Sequence, residues 1–344
     1  MSRWSYFARR LVLAVPVLLF SMSIAFVILR MGPIDPVSAI VGTQNDPAYR
    51  QAVARSIGLI DAQGNPIPLW EQYFAFMRDL LTFDLGRSWV ISRGTSVSEL
   101  IASRAPRTIW LGFWSVLVAL LVGIPLGFYA GLNPNTFSDY TASFGGIIWR
   151  AMPNFWLGII ISSLLVASAQ LTGGAFNWAD WIVETSGGGV TAPPLTDLTD
   201  PENLAIAIKQ ILPAALVLGS SSMGNEMRIG RTAVLETVNS NYVETARAKG
   251  LPERVIVWKH IFRNALIPLV PVITAEAFLL IGGSVVVEAI FAINGLGKLF
   301  FDAAIQGDLP LAGSLLYIFV LITLSINILQ DFLYTIIDPR IGYD

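Results

Sequence analysis

The chain has 344 residues, 54% of them hydrophobic and only 13% charged, with a net charge of −2, no cysteine and one histidine, His260. A soluble domain carries about 25% charged residues, so this composition calls for a bilayer as solvent. It excludes disulfides, thiol chemistry and thiolate or multi-histidine metal sites, and nothing in the charge points to nucleic acid. No catalytic, cofactor-binding or metal-ligating set emerges.

The apolar runs predict an all-α polytopic membrane protein of about six spans, each needing about 20 apolar residues. The first, Leu11 to Leu29, follows Arg9-Arg10 and is too long for a signal-peptide core, with no small-x-small cleavage site after it. The second is Ile109 to Leu132. The third is Ala151 to Leu171, with Arg150 at its start. The fourth, Ile206 to Met227, contains Lys209, a run of three serines and Glu226, as expected of a helix packed inside a bundle rather than against lipid. The fifth is Leu266 to Val287, interrupted by Glu276, and the sixth is Leu311 to Gln330.

Basic residues near span ends set orientation. The stretch from Arg228 to Arg263 holds Arg228, Arg231, Arg247, Lys249, Arg254, Lys259 and Arg263, while Thr172 to Ala205 holds five acids and no Lys or Arg. That acidic stretch fits a translocated loop and also a salt-loving host. Both termini are expected in the cytoplasm. The expected organisation is a cytoplasmic N-terminus and first span at 1–30, an extracytoplasmic insertion at 31–107, and a five-helix core at 108–344 that contains a cytoplasmic loop at 236–263. Within the insertion, Trp70, Tyr73, Phe74, Met77 and Leu81 fall at helical spacing.

The residues Asn241 to Pro252 predict a short helix with a sharp corner. Asn241 is placed to cap it, with Glu244 three residues on. Arg247 and Lys249 suit the last turn. Gly250 suits the left-handed position beyond the end, with Leu251 as its apolar contact, and Pro252 starts the next helix. A helix this short is marginal alone and must dock on something; an amphipathic elbow lying on the membrane is the other reading of the same pattern.

Glu244-Thr245-Ala246-x-x-x-Gly250 resembles the Glu-Ala-Ala-x-x-x-Gly loop of binding-protein-dependent ABC importer permeases. The surrounding Tyr242 to Leu251, and His260 to Pro268, are similar to the version found in dipeptide and oligopeptide permeases of the DppB/OppB type. Further matches run through the chain in order: Asp84-Leu85-Gly86-Arg87-Ser88, Gly123-Ile124-Pro125-Leu126-Gly127, Val287 to Phe291 with Gly295-Leu296-Gly297, and Asp338-Pro339-Arg340. Gly32-Pro33-Ile34-Asp35-Pro36 departs from the Pro-Gly-Asp-Pro usual in that family, and Thr245 from the middle alanine.

The resemblance implies a multi-pass cell-membrane permease subunit of an ATP-driven peptide importer, forming half of the translocation pathway. Its implied partners are a second, related permease, two ABC ATPase subunits and an extracytoplasmic solute-binding protein. ATP and Mg would sit on the ATPase subunits, and this chain would bind no cofactor and catalyse nothing. Tyr242, Glu244, Thr245, Ala246, Arg247, Ala248, Lys249, Gly250 and Leu251 would couple to the ATPase. Glu276, with Ser221 and Asn225, is the candidate pathway set, because ionisable residues within spans are functional candidates by default. Glu276 would attract a substrate amine or bond a neighbouring helix, and Glu226 is expected to pair locally with Arg231.

Other solutes of the same family (nickel chelates, glutathione, oligosaccharides) remain open. So does an ion-driven secondary transporter, although no two-halves repeat is evident. The run Gly295-Leu296-Gly297-Lys298 is not a phosphate loop, since Ala292 and Leu299 stand where that motif needs Gly and Ser or Thr.

Overall fold

In the computed structural model, residues 3–44, 46–181, 198–276 and 285–337 are described. They are helical throughout, apart from turns and two isolated bridges, Ile60 with Pro66 and Arg87 with Ser96. Four helices are long and apolar enough to cross a membrane: Arg9–Met31, Val97–Leu132, Pro201–Val238 and Leu309–Phe332. The pair Phe137–Ala151 and Asn154–Val166 passes the same test but is bent by 96°. The chain is therefore an all-α polytopic membrane protein. Part of the expected fifth span, 277–284, lies outside the described residues, as do Asp338-Pro339-Arg340.

The third and fourth spans differ from expectation. The third is preceded by the helix Phe137–Ala151, whose N-terminus is capped by Thr136, and the break falls at Met152-Pro153. A proline cannot continue a helix and disfavours helical geometry in the residue before it. The fourth does not stop at Met227 but runs as one 38-residue helix to Val238.

The chain divides into two compact units. The first comprises the chain up to Pro106 together with Gly295–Ile328. Its insertion is built from the short helices Pro36–Val41 and Pro47–Ser56 and the amphipathic helix Leu69–Leu81, which covers the predicted Trp70 to Leu81 spacing. Asp35 caps the first of these through the amides of Val37 and Ser38. Partial burial pushes its carboxyl up, but the Ser38 hydroxyl, those two amides and Arg50 together hold it below the usual carboxylate range.

One carboxylate fixes this unit. Asp308 is fully buried and accepts hydrogen bonds from Ser88 Oγ at 2.5 Å, Trp89 N at 3.1 Å, and Val90 N and Ile91 N at 3.0 Å each. Three consecutive amides aimed at one carboxylate form a small anion-binding nest, here occupied by the protein itself. Lys298, from the rejected phosphate-loop run, pairs with Asp302.

The second unit comprises Arg107–Asn294 with Leu329–Gly342. At its centre the Val97–Leu132 and Pro201–Val238 helices meet backbone to backbone. Gly123, Gly127 and Gly131 repeat every four residues, which places them in one stripe. A Cβ on Gly123 would come within 2.8 Å of Met223 O, and one on Gly131 within 2.6 Å of the Val234 Cβ; on Gly127 it would overlap the Met227 backbone, and on Gly219 the Ser115 carbonyl. Small residues at four-residue spacing are the standard device for close helix approach in lipid. The first helix takes a π-helical turn at Ala119–Gly123, just before Pro125, where the proline's missing N–H already loosens the hydrogen-bond ladder.

Candidate functional site

The helix Asn241–Ala248 follows the long helix after a two-residue break. Its N-cap is Ser240, with no side-chain capping bond, and not the expected Asn241; the Ser240 hydroxyl donates instead to Thr237 O at 2.5 Å. The C-terminus follows the expected pattern. Gly250 has φ +73°, its N–H donates to Arg247 O at 2.9 Å, and the Leu251 N–H donates to Ala246 O at 3.3 Å. These bonds satisfy carbonyls that a helix end otherwise leaves bare. Pro252 then opens the next helix at Glu253.

An eight-residue helix is not stable by itself in water. This one is held by Val243 and Ala246, both buried in a core with Val234, Ile256, Ile261, Ala265 and Leu269. Burying one valine contributes about 1.5 kcal/mol or more. Ala246, grouped by the sequence pattern with the outward coupling residues, is therefore a seat on the chain's own core. Tyr242, Glu244, Thr245, Arg247, Ala248, Lys249, Gly250 and Leu251 are exposed. Arg247 forms a solvent-facing pair with Glu253 at 3.3 Å.

The sequence reading did not single out Val255 and Trp258. Both are exposed, as are Tyr242 and Leu251, and together they give the corner an apolar outer surface. Trp258 lies in a π-helical stretch, Ile256–Phe262, with its ring 5.0 Å from that of Phe262.

Arg231 is not the partner of Glu226. It forms a two-pronged ion pair with Asp139, Nε to Oδ1 at 2.6 Å and Nη2 to Oδ2 at 2.8 Å. Asp139 is buried and also accepts from the Asn135 amide and the Ser143 hydroxyl. The expectation failed because i, i+5 positions on a helix diverge by more than a quarter turn, and Asp139 is 92 residues away in sequence.

Glu226 is fully buried. Neither of its carboxylate oxygens has a hydrogen-bond partner among the described residues, nor does Oε2 of Glu276. The charged group acting on Glu226 is Glu276. The fold thus joins Glu276 to Glu226, a pairing the sequence reading did not anticipate. Of the other pathway candidates, the Ser221 hydroxyl is taken up by Leu218 O at 2.7 Å, and Asn225 Oδ1 accepts a long contact of 3.5 Å from Arg228. Glu288 is a structural acid, fully buried and bonded by Thr108 Oγ1 at 2.9 Å. Trp110, Trp114 and Trp149 pack on the hydrophobic core and Trp156 is exposed.

A membrane-crossing bundle with carboxylates buried inside it, and a seated corner presenting an apolar face at the end of its longest helix, defines a membrane transport component. The chain belongs to the family of binding-protein-dependent transport system inner membrane components, whose model matches residues 123–343. It is 35% identical to the oligopeptide transport system permease protein AppB of Bacillus subtilis (strain 168), across 98% of this chain and 99% of that one. It is 32% identical to the dipeptide transport system permease protein DppB of Alkalihalophilus pseudofirmus, across 98% and 99%, and 30% identical to DppB of Escherichia coli (strain K12), across 98% of each.

Proposed function

We propose that the chain is the DppB/OppB-type permease subunit of an ATP-driven ABC importer of peptides, forming half of the translocation pathway and coupling to ATPase subunits through residues 241–252. Relatives similar along nearly the whole chain are named for oligopeptide and dipeptide transport. The observation that carries the coupling role is the corner. Val243 and Ala246 seat it rigidly on the long helix and its neighbours, while Tyr242, Leu251, Val255 and Trp258 are exposed on its outer side. A rigid lever with an unfilled apolar face is what a moving ATPase needs to push.

In this reading both termini are cytoplasmic and residues 31–107 form the extracytoplasmic insertion. A second, related permease completes the pathway, and a solute-binding protein delivers the peptide. ATP hydrolysis belongs to the two ATPase subunits. Glu244 lies in the first turn of the docking helix, where its charge suits the helix dipole. Exposed pairs made by Lys249 with ATPase acids contribute under about 1 kcal/mol each, so shape dominates docking. Glu276, with Glu226 beside it, lines the route of the peptide's amino group.

Gly250→Val tests the coupling role. Its φ of +73° is open to glycine and strained for a β-branched residue, so the corner re-forms differently while the membrane helices stay intact. The expected result is normal membrane insertion with peptide uptake and peptide-stimulated ATPase activity lost. Normal uptake by a well-expressed Gly250→Val protein refutes the role.

A further inference from the structure

The first unit contains a cavity of about 360 Å³, within the roughly 300–1,000 Å³ typical of small-molecule sites. One wall is apolar, built from Phe26 and Leu29 of the first membrane helix and Phe76 and Leu80 of the amphipathic helix. Phe26 and Phe76 pack with ring centroids 5.6 Å apart. The polar side holds Arg30 and Gln72.

The charged groups that line this cavity differ in one respect. Asp79 is held by Arg78 through two hydrogen bonds of 3.0 and 2.8 Å. Asp84 accepts the Gly86 amide at 3.2 Å, and Arg87 donates to Gly94 O at 2.5 Å. Arg30 makes no hydrogen bond or ion pair with any described residue, although its Nη1 is shut off from solvent. Gln72 donates its Nε2 to Ile67 O at 2.8 Å, leaving a buried Oε1 unpartnered in the same cavity. A guanidinium whose Nη1 is shut off from solvent with no partner among the described residues, half-buried beside a cavity, carries a desolvation cost that an anion in the cavity would offset.

The position of Arg30 identifies the anion. It is the penultimate residue of the membrane-crossing stretch Arg9–Met31, so it sits where hydrocarbon gives way to headgroups. The amphipathic helix that forms the opposite wall exposes Leu69, Trp70 and Phe74, residues suited to that same layer. The apolar wall continues from the guanidinium as a phospholipid's chains continue from its phosphate.

We propose that this cavity is a phospholipid site, in which Arg30 binds the phosphodiester oxygens by a charge-assisted, two-pronged contact and Phe26, Leu29, Phe76 and Leu80 receive the start of the acyl chains. The site rests on the chain spanning a membrane and not on peptide transport, so loss of one reading leaves the other standing.

The test uses the full chain, purified in a phosphate-free maltoside detergent and stripped of lipid. Dioleoyl phosphatidylglycerol, dioleoylglycerol and inorganic phosphate are added separately, with the thermal midpoint and lipid retention by native mass spectrometry as readouts. Phosphatidylglycerol is expected to stay bound and raise the midpoint, and the other two are not. Arg30→Gln is expected to weaken retention about tenfold or more, the effect of losing hydrogen bonds to a charged group, with Arg30→Lys intermediate. Ala75→Trp, which fills the cavity and keeps Arg30, is expected to abolish retention. Equal effects of dioleoylglycerol overturn the headgroup contact, and an equal effect of inorganic phosphate overturns the lipid. Undiminished retention by Arg30→Gln overturns the site.

Discussion

Two of this protein's fully buried carboxylates, Asp308 and Glu226, are opposite in their surroundings. Asp308, in the first unit, collects four donors on its two oxygens. Glu226, in the second, has none among the described residues and faces another acid. Burying a charge is tolerable only when donors replace its water, so Asp308 is a finished structural joint. Glu226 has no such set of donors among the described residues. Burial alone therefore does not tell the two acids apart; the count of donors around each does.

The largest effect is expected at Asp308. Replacing it by alanine strands three partly buried amides and the buried Ser88 hydroxyl, and breaking such a network around a buried charge costs about 3 kcal/mol or more. The full chain is expected to show a clearly lowered thermal midpoint and early proteolysis near residues 88–95; an unchanged midpoint would contradict the structural assignment. Asp139 is the intermediate case, a buried acid whose partner Arg231 is partly exposed. Water reaches the stranded guanidinium, so Asp139→Ala is expected to cost less, about 2–3 kcal/mol, read in the same unfolding measurement.

The smallest effect has the opposite sign. Glu226→Gln removes an unpartnered buried acid and supplies a donor to Glu276. It is expected to leave stability unchanged or raise it by about 1 kcal/mol, while slowing uptake of peptides with a charged amino terminus more than of N-acetylated ones. A destabilisation as large as that of Asp308→Ala would remove the distinction between the two sites.

Much of this was legible in the sequence, and the part that was not has a common cause. Of the six expected spans, the first, second, fourth and sixth coincide with long apolar helices among the described residues, and the Gly250-Leu251-Pro252 corner was readable because caps and turns depend on neighbours in sequence. The helix Phe137–Ala151 escaped because Ser138, Asp139, Thr141 and Ser143 lower its hydropathy, although Thr136 and Asp139 carry the spacing of an N-terminal cap. Gly123 and Gly127 entered the sequence reading only as part of a family match, and neither the stripe they make with Gly131 nor its partner on the long helix was read from it. Long-range pairings were hidden altogether: Ser88 with Asp308, Asp139 with Arg231, Thr108 with Glu288. No local rule connects residues 92 to 220 positions apart, and only the fold shows that Ala246 serves the chain's own core.

The glycine seam bears on how the protein is made. The helix Pro201–Val238 carries Lys209, Glu226, Arg228 and Arg231 and buries 56% of its apolar window within the protein, more than any other crossing helix. Lipid alone is a poor solvent for it. Its groove, formed by Gly123, Gly127 and Gly131, is synthesised earlier. The growing chain thus presents a prepared berth before the difficult segment leaves the ribosome, and a bulky residue at Gly127 would act first on biogenesis, stranding that segment during insertion.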